Sequence, residues 1–89
     1  AHYYRALVYS RSKRMDQAIT EMNLYLSFDI IPEYRATSLY RLAGFHYRKR
    51  EYAKSEALYK QAWKANKHQG AKRRLERMKR LKKEGKISY

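Results

Sequence analysis

The sequence predicts an all-α fold, with about two antiparallel helical hairpins stacked in a short solenoid and closed by a basic C-terminal helix. The 89 residues include a single proline and three glycines, and sheet-rich folds usually need more turn residues than that. Apolar residues recur at helical spacing. Segments that lie 37 residues apart are also similar to each other, as is typical of arrays of helical hairpins.

The apolar spacing predicts five helices that are joined by short turns. The first is expected over about 1–12 and the second, which has the clearest apolar stripe, over about 15–28. Pro32 occupies a position that suits the first turn of a helix, so the third helix is expected to run from there to about residue 50. Gly44 lies inside this helix at a cost of about 1 kcal/mol relative to alanine. We attribute this glycine to the close approach of a neighbouring helix.

The fourth helix is expected over about 52–66 and the fifth over about 71–84. His68, Gln69 and Gly70 are predicted to separate them, and Gly85 is a predicted C-cap. When the sequence is shifted by 37 residues, Met15, Ala18, Met22 and Tyr25 fall on Tyr52, Ser55, Tyr59 and Ala62. The repeat predicts one hairpin at 1–31, a second at 32–67, and a basic helix and tail at 68–89.

Residues 36–67 carry a pattern of large and small side chains that resembles one tetratricopeptide repeat. The first helix of that family places two large apolar residues before a small one, and the second alternates aromatic with small residues. The matching residues are Leu39, Leu42, Ala43, Tyr52, Ser55, Tyr59 and Ala62. His46 stands where the family has an aromatic residue, and Lys67 stands where it has a closing proline. Residues 1–31 fit the pattern more loosely.

The resemblance implies a concave groove, lined by the first helices of successive repeats, that holds extended peptides. The residues that would face it are Tyr40, Arg41, Tyr47 and Arg48, together with Thr37 and Gly44. Tyrosine and arginine are frequent at binding hot spots, although packing against a next repeat is the alternative role. One subclass of the family clamps a terminal carboxylate with a lysine and an asparagine. Tyr40 and Gly44 occupy those positions here, so this clamp is not expected.

The C-terminal segment is strongly basic. The chain carries a net charge of +14, and residues 67–86 contain ten Lys or Arg and two acids. Such a density suits phosphate neutralisation, and the alternative is a solvated cap that packs through Leu75, Met78 and Leu81. No recognisable base-reading motif accompanies the charge. The polyanion-binding candidates are Lys72, Arg73, Arg74, Arg77, Lys79, Arg80, Lys82, Lys83 and Lys86.

Six of the ten tyrosines lie at helical spacings and are expected to be core aromatics, with base stacking as the less favoured role. These six are Tyr3, Tyr4, Tyr9, Tyr25, Tyr52 and Tyr59. Catalytic patterns are lacking: no phosphate loop, serine elbow, carboxylate dyad or metal-ligand spacing is present. We therefore expect no enzyme activity, cofactor, metal ion or small-molecule substrate.

We expect the chain to be a non-enzymatic adaptor or scaffold in a larger assembly. The repeats would contact a protein partner, and the basic helix would dock on an anionic surface. The alternative is an RNA-binding structural component of a ribonucleoprotein complex that acts through the same helix. No transmembrane segment is predicted, and an intracellular or organellar location is the expectation.

Overall fold

The computed structural model describes residues 2–11 and 14–89, and they form five α-helices. Helices α1 to α5 cover His2–Arg11, Met15–Leu26, Pro32–Arg48, Tyr52–Asn66 and Gln69–Lys83. The described part of the chain contains no strand, so the predicted all-α class is confirmed. The bounds of α4 match the prediction, and Pro32 is the first residue of α3.

Helix α3 is the central element, and it separates two clusters of buried side chains. Leu42 and Phe45 of α3 pack with Ala6, Ala18 and Met22 from α1 and α2. Leu39 and Ala43 face the other way and pack with Tyr59, Ala62, Ala71, Met78 and Ile87. Two faces of α3 are therefore buried, and a third face is left open.

Helices α1 and α2 form the first antiparallel pair. The ring of Tyr3, near the start of α1, lies 5.5 Å from the ring of Tyr25, near the end of α2. His2 also pairs with the carboxylate of Glu21. Ala6 is fully buried against α2, because its small side chain lets the two helices approach closely.

Helices α3 and α4 form the second antiparallel pair and share the most extensive helix–helix interface. Ser55 Oγ donates a hydrogen bond of 2.8 Å to the carbonyl oxygen of Ala43, and both residues are fully buried. Tyr40 lies over Tyr59, with ring centroids 5.6 Å apart. Small residues on both helices thus bring the two backbones together.

The Cα atoms span 39 × 28 × 16 Å. Two packed helices need about 13–15 Å, because their axes lie 8–10 Å apart and each Cα cylinder has a radius of about 2.3 Å. The smallest dimension therefore corresponds to two layers of helices. Helices α1, α3 and α5 border one face of the molecule, where their residues line a common depression, and α2 and α4 each pack against two of these helices. Among the helices that the structure describes, none is long and apolar enough to cross a membrane.

The turn between α3 and α4 is a Schellman motif. The backbone N–H of Glu51 donates to the carbonyl of His46, and that of Arg50 donates to the carbonyl of Tyr47, both at 2.9 Å. Arg50 adopts a left-handed conformation, with φ of 63°. His46 Nδ1 lies 2.9 Å from Glu51 Oε1, and this hydrogen bond is the main cause that holds the pKa of Glu51 below its usual value.

Replacing Arg50 with glycine should stabilise the fold, because a left-handed residue with a Cβ carries roughly 1–2 kcal/mol of strain. Part of that gain is offset by the greater chain entropy of glycine, so we expect Arg50→Gly to raise the free energy of unfolding by about 0.5–1 kcal/mol. Urea denaturation measures the change. As the control, Lys54→Gly inside α4 should lower stability by about 1 kcal/mol. Equal losses in both variants would contradict the strain at Arg50.

The connection between α4 and α5 is shorter than predicted. Gln69 and Gly70 were expected to interrupt the helices, but they form the first turn of α5, and only Lys67 and His68 connect the two helices. His68 caps α5, because its Nδ1 accepts a hydrogen bond of 3.2 Å from the N–H of Ala71. This side chain satisfies a donor that the helix start leaves without a partner, so the helix begins two residues earlier.

The end of α5 is also a Schellman motif, and the predicted C-cap role of Gly85 is confirmed. Gly85 is left-handed, with φ of 75°. Its N–H donates to the carbonyl of Lys82 at 3.1 Å, and the N–H of Lys86 donates to the carbonyl of Leu81 at 2.9 Å. The motif turns the last residues back towards α4.

These last residues form a clasp between Ile87, Tyr89 and α4. Ile87 is 8% exposed and belongs to the buried cluster of α3, α4 and α5. The hydroxyl of Tyr89 donates a hydrogen bond to Glu56 of α4. The ammonium group of Lys82 lies 4.0 Å from the centre of the Tyr89 ring. The clasp therefore fastens the far end of α5 to α4.

The clasp should make the free energy of unfolding decrease as the pH rises into the alkaline range. Burial, followed by the hydrogen bond to Glu56, raises the pKa of Tyr89 from 10.0 to about 12. Because the folded state raises this pKa, the contribution of the neutral phenol is complete below pH 10 and is lost as the pH rises through 12. Wild type should therefore lose more unfolding free energy across this range than Tyr89→Phe, as measured by urea denaturation at each pH.

Tyr34→Phe provides the matched control, because Tyr34 is 60% exposed and lies away from the clasp. Its stability profile should follow that of wild type. Identical pH profiles for wild type and Tyr89→Phe would show that the Tyr89 phenol does not couple to folding.

Candidate interaction groove

Helices α1, α3 and α5 line a depression of about 470 Å³ on their shared face, here called the groove. Its floor and walls are formed by Leu7, Tyr40, Arg41, Gly44, Phe45, Tyr47, Arg48, Tyr59 and Arg74. A smaller recess of about 100 Å³ adjoins it and is lined by Tyr47, Tyr59, Arg74, Arg77 and Met78. All of the residues predicted to face a groove, except Thr37, therefore lie together in it.

The groove follows from the helical period of α3. Tyr40, Arg41, Gly44, Tyr47 and Arg48 are separated by steps of one, three, three and one residues. With 3.6 residues per turn, these positions share one face of the helix. It is the face that the two buried clusters leave open.

Thr37 lies apart from the other predicted groove residues. It lines a separate depression with Tyr3, Tyr4, Tyr25, Tyr34 and Ser38. Its hydroxyl donates a hydrogen bond of 3.1 Å to the carbonyl of Glu33. The reason lies in α5, which begins beside Tyr40 and therefore builds no groove wall one turn earlier on α3.

The groove has a strongly positive lining. Arg41 and Arg48 project from α3, and Arg74 and Arg77 project from α5. No carboxylate is among the described residues that line the groove and its recess. Clefts lined by charges of one sign concentrate the field and attract ligands of the opposite sign. The surface is therefore suited to an anionic ligand.

Tyr40 joins the two walls of the groove. Arg74 Nε donates a long hydrogen bond of 3.4 Å to Tyr40 Oη, and this bond is the main cause that raises the pKa of Arg74. The ring of His68 stacks on the ring of Tyr40, with the two centroids 4.6 Å apart. Arg74 thus has a defined position against α3 through its Nε atom.

The titratable groups around this contact carry no negative charge near neutral pH. Burial raises the pKa of Tyr59, which is 3% exposed, so its phenol stays neutral. Burial, together with the charge of Arg41, lowers the pKa of His68 below 6.5. The neutral imidazole keeps a lone pair for the cap of α5. Tyr59 and His68 thus add no negative charge to the groove.

Gly44 lies on the groove floor, and the predicted packing reason for it is wrong. A Cβ atom at this position would meet Tyr59 Oη at 3.7 Å, which is an ordinary van der Waals contact, and nothing closer. Alanine would therefore fit without moving α4. The close approach of α3 and α4 is made one residue earlier, at Ala43.

The nine polyanion candidates are all exposed, but they face different surroundings. Arg74 and Arg77 border the groove. Lys79, Lys82 and Lys83 line a second depression between α4 and α5, beside the clasp. Lys72 lies over Trp63. Arg73 and Arg80 line neither depression, and Lys86 pairs with Glu84 at 3.5 Å.

Trp63 is half-buried between two lysines at the junction of α4 and α5. The ammonium groups of Lys67 and Lys72 lie 5.4 and 5.3 Å from the centre of its ring. Both distances are within the range of a cation–π interaction. Trp63 therefore helps to hold the start of α5 against α4.

Of the six tyrosines expected in the core, the five whose side chains are described fall into three groups. Tyr59 is buried, and Tyr3, Tyr25 and Tyr52 are half-buried. Tyr4 is 72% exposed, so its assignment to the core is wrong: its neighbour Tyr3 faces α2 instead. The side chain of Tyr9 lies outside the described part of the chain.

Sequence reasoning missed the contributions of Leu7, Phe45 and Tyr59 to the groove, and it placed Arg74 and Arg77 only on a basic helix. The signal for the two arginines was the apolar stripe of α5. Residues 74 and 77 flank Met78, which is buried against the core, so both arginines border the packed side of the helix.

The described residues contain no cluster of three or more His, Cys, Asp or Glu side chains that could hold a metal ion. Comparison with models of known protein families, with curated proteins and with solved structures gave no match.

Proposed function

We propose that the chain is a non-enzymatic adaptor module of the tetratricopeptide type, whose groove holds a segment of another protein. The main support for this proposal is the groove, where tyrosine and arginine side chains lie together on one open face. These residues are Tyr40, Arg41, Tyr47, Arg48 and Arg74. Tyrosine and arginine side chains combine large contact area with directional hydrogen bonding, and they dominate binding energy at protein interfaces. The basic helix α5 would dock on an anionic surface of the same assembly.

The burial pattern supports the proposed repeat type. Leu39, Leu42, Ala43, Ser55, Tyr59 and Ala62 carried the resemblance, and each of them is at most 7% exposed. Tyr52, which opens the pattern on the second helix, is half-buried against Tyr47 at a centroid distance of 5.1 Å. The residues that distinguish the repeat thus coincide with those that pack α3 against its neighbours.

A display selection of random peptides on the purified chain tests the adaptor function. We expect clones that bind wild type and lose about tenfold or more in affinity for the variant Tyr47→Ala with Arg48→Ala, because both side chains line the groove. The matched control is Tyr34→Ala with Arg35→Ala, an adjacent Tyr–Arg pair outside the groove. A selection in which no clone depends on the groove pair would overturn the proposed function.

A second candidate function is RNA binding by α5, and the placement of its charges favours it. Lys72, Arg73, Lys79 and Arg80 are exposed, and none of them forms an ion pair with a described carboxylate. Their charges are thus available to phosphates, and each phosphate contact steepens the salt dependence of binding. In this function the repeats would be a scaffold.

Titration of a structured RNA across a salt series tests the second candidate. Changing Lys72, Arg73, Lys79 and Arg80 to glutamine leaves the groove arginines intact and should reduce the log–log slope by about 3, since each phosphate contact contributes roughly 0.7–0.9. The control removes the same formal charge at Arg5, Arg14, Lys54 and Lys64. Equal reductions in the two variants would indicate a diffuse attraction to the whole chain and count against docking by α5.

A further inference from the structure

Gly44 leaves space on the groove floor that the fold does not use. Glycine weakens a helix interior, and packing does not demand it here, because a Cβ would sit 3.7 Å from Tyr59 Oη. The open side of Gly44 faces the groove between the side chains of Tyr40, Arg41, Tyr47 and Arg48. A ligand backbone would therefore be able to pass close to α3 at this position.

The flanking arginines set the spacing of the anionic groups that would lie over this floor. Arg41 and Arg48 are seven residues apart on α3, which corresponds to about 10.5 Å along the helix axis. In the polyproline II conformation, residues three apart lie on the same side of the chain, about 9.3 Å from each other. Two carboxylates with that separation can each meet one arginine.

The conformation of the ligand follows from the walls of the groove. Side chains of helices line it, and the backbone groups of a helix interior are already bonded to each other. The groove offers no strand edge that would pair with an incoming β-strand. Polyproline II segments need no such partner, because their backbone stays solvated. Arg74 adds a third guanidinium, which can donate a bidentate pair of hydrogen bonds to a carboxylate.

We propose that the groove recognises an extended acidic peptide with two carboxylates three residues apart, whose backbone passes over Gly44 between Arg41 and Arg48. This inference rests on the proposed function and names its ligand class. Gly44 is the specificity-determining position, because any long side chain there would cover the floor. The charge of Arg74, fixed by Tyr40, would hold the peptide on the α5 side.

Fluorescence anisotropy with a labelled peptide tests the proposal. The probe carries two glutamates separated by two prolines, and two further peptides replace both glutamates with glutamine or place them side by side. At about 150 mM salt, where diffuse attraction is largely screened, the spaced probe should bind about tenfold tighter than either of the others. Equal affinity for spaced and adjacent glutamates would overturn the proposed geometry.

Two matched pairs of variants separate the groove from the general positive field. Arg41→Gln with Arg48→Gln should weaken binding of the spaced probe about tenfold or more. Lys79→Gln with Lys83→Gln removes the same charge beside the second depression and should change the affinity less than about twofold. Equal losses from both pairs would overturn the proposal.

Gly44 variants test the floor independently of charge. Gly44→Ala should raise the Tm by roughly 4 °C. Gly44→Gln should fold normally but lower the affinity for the spaced probe about tenfold, because the glutamine side chain covers the groove floor. Unchanged binding by a folded Gly44→Gln would contradict the close passage of the ligand over Gly44.

Two further outcomes would contradict the proposed ligand class. A short single-stranded RNA that binds more tightly than the spaced probe, and that loses affinity with the Arg41 and Arg48 pair, would make the groove a nucleic-acid site. Display clones that depend on the groove but carry no acidic residues would overturn this ligand class and leave the adaptor function standing.

Discussion

The close contact of Ala43 with Ser55 is the constraint on which the rest of the structure depends. Both residues are fully buried, and the serine hydroxyl bonds to the backbone of the facing helix. Larger side chains at this crossing would overpack it by about 1–3 kcal/mol. The contact also fixes the rotation of α3 about its axis. With Leu39 and Ala43 turned towards α4, Leu42 and Phe45 must face α1 and α2, and the remaining face becomes the groove.

The orientation of α3 explains which parts of the groove the sequence alone predicts. The predicted groove residues of α3 other than Thr37 lie side by side, because they share one face of a single helix and their grouping needs only the helical period. The end of the groove near Thr37 was not predictable, because it depends on where α5 begins. That start depends in turn on His68. Histidine is not among the usual N-cap residues, but here Nδ1 of His68 accepts a hydrogen bond from the N–H of Ala71, and burial lowers the pKa of the ring.

Gly44 and Arg74 show two further limits of sequence reasoning. A glycine within a helix signals close approach, but the pattern does not distinguish a packed helix from a bound ligand. Only the space around its Cβ position does so. Basic residues surround α5 on most sides, so no charge pattern singles out Arg74. Its place in the groove is set by the rotation of α5, which depends on Met78 and on the clasp at Ile87 and Tyr89.

The proposed ligand binding would therefore be linked to the docking of α5. Its apolar anchors are few, with Ala71 and Met78 buried in the helix itself and Ile87 in the tail, while its exposed residues repel one another. An anion held by Arg74 and Arg77 would relieve part of that repulsion only while α5 is docked. A ligand that binds the docked state and not the detached one stabilises docking by mass action. A groove ligand and the clasp would thus both favour the docked position of α5, from opposite ends of the helix.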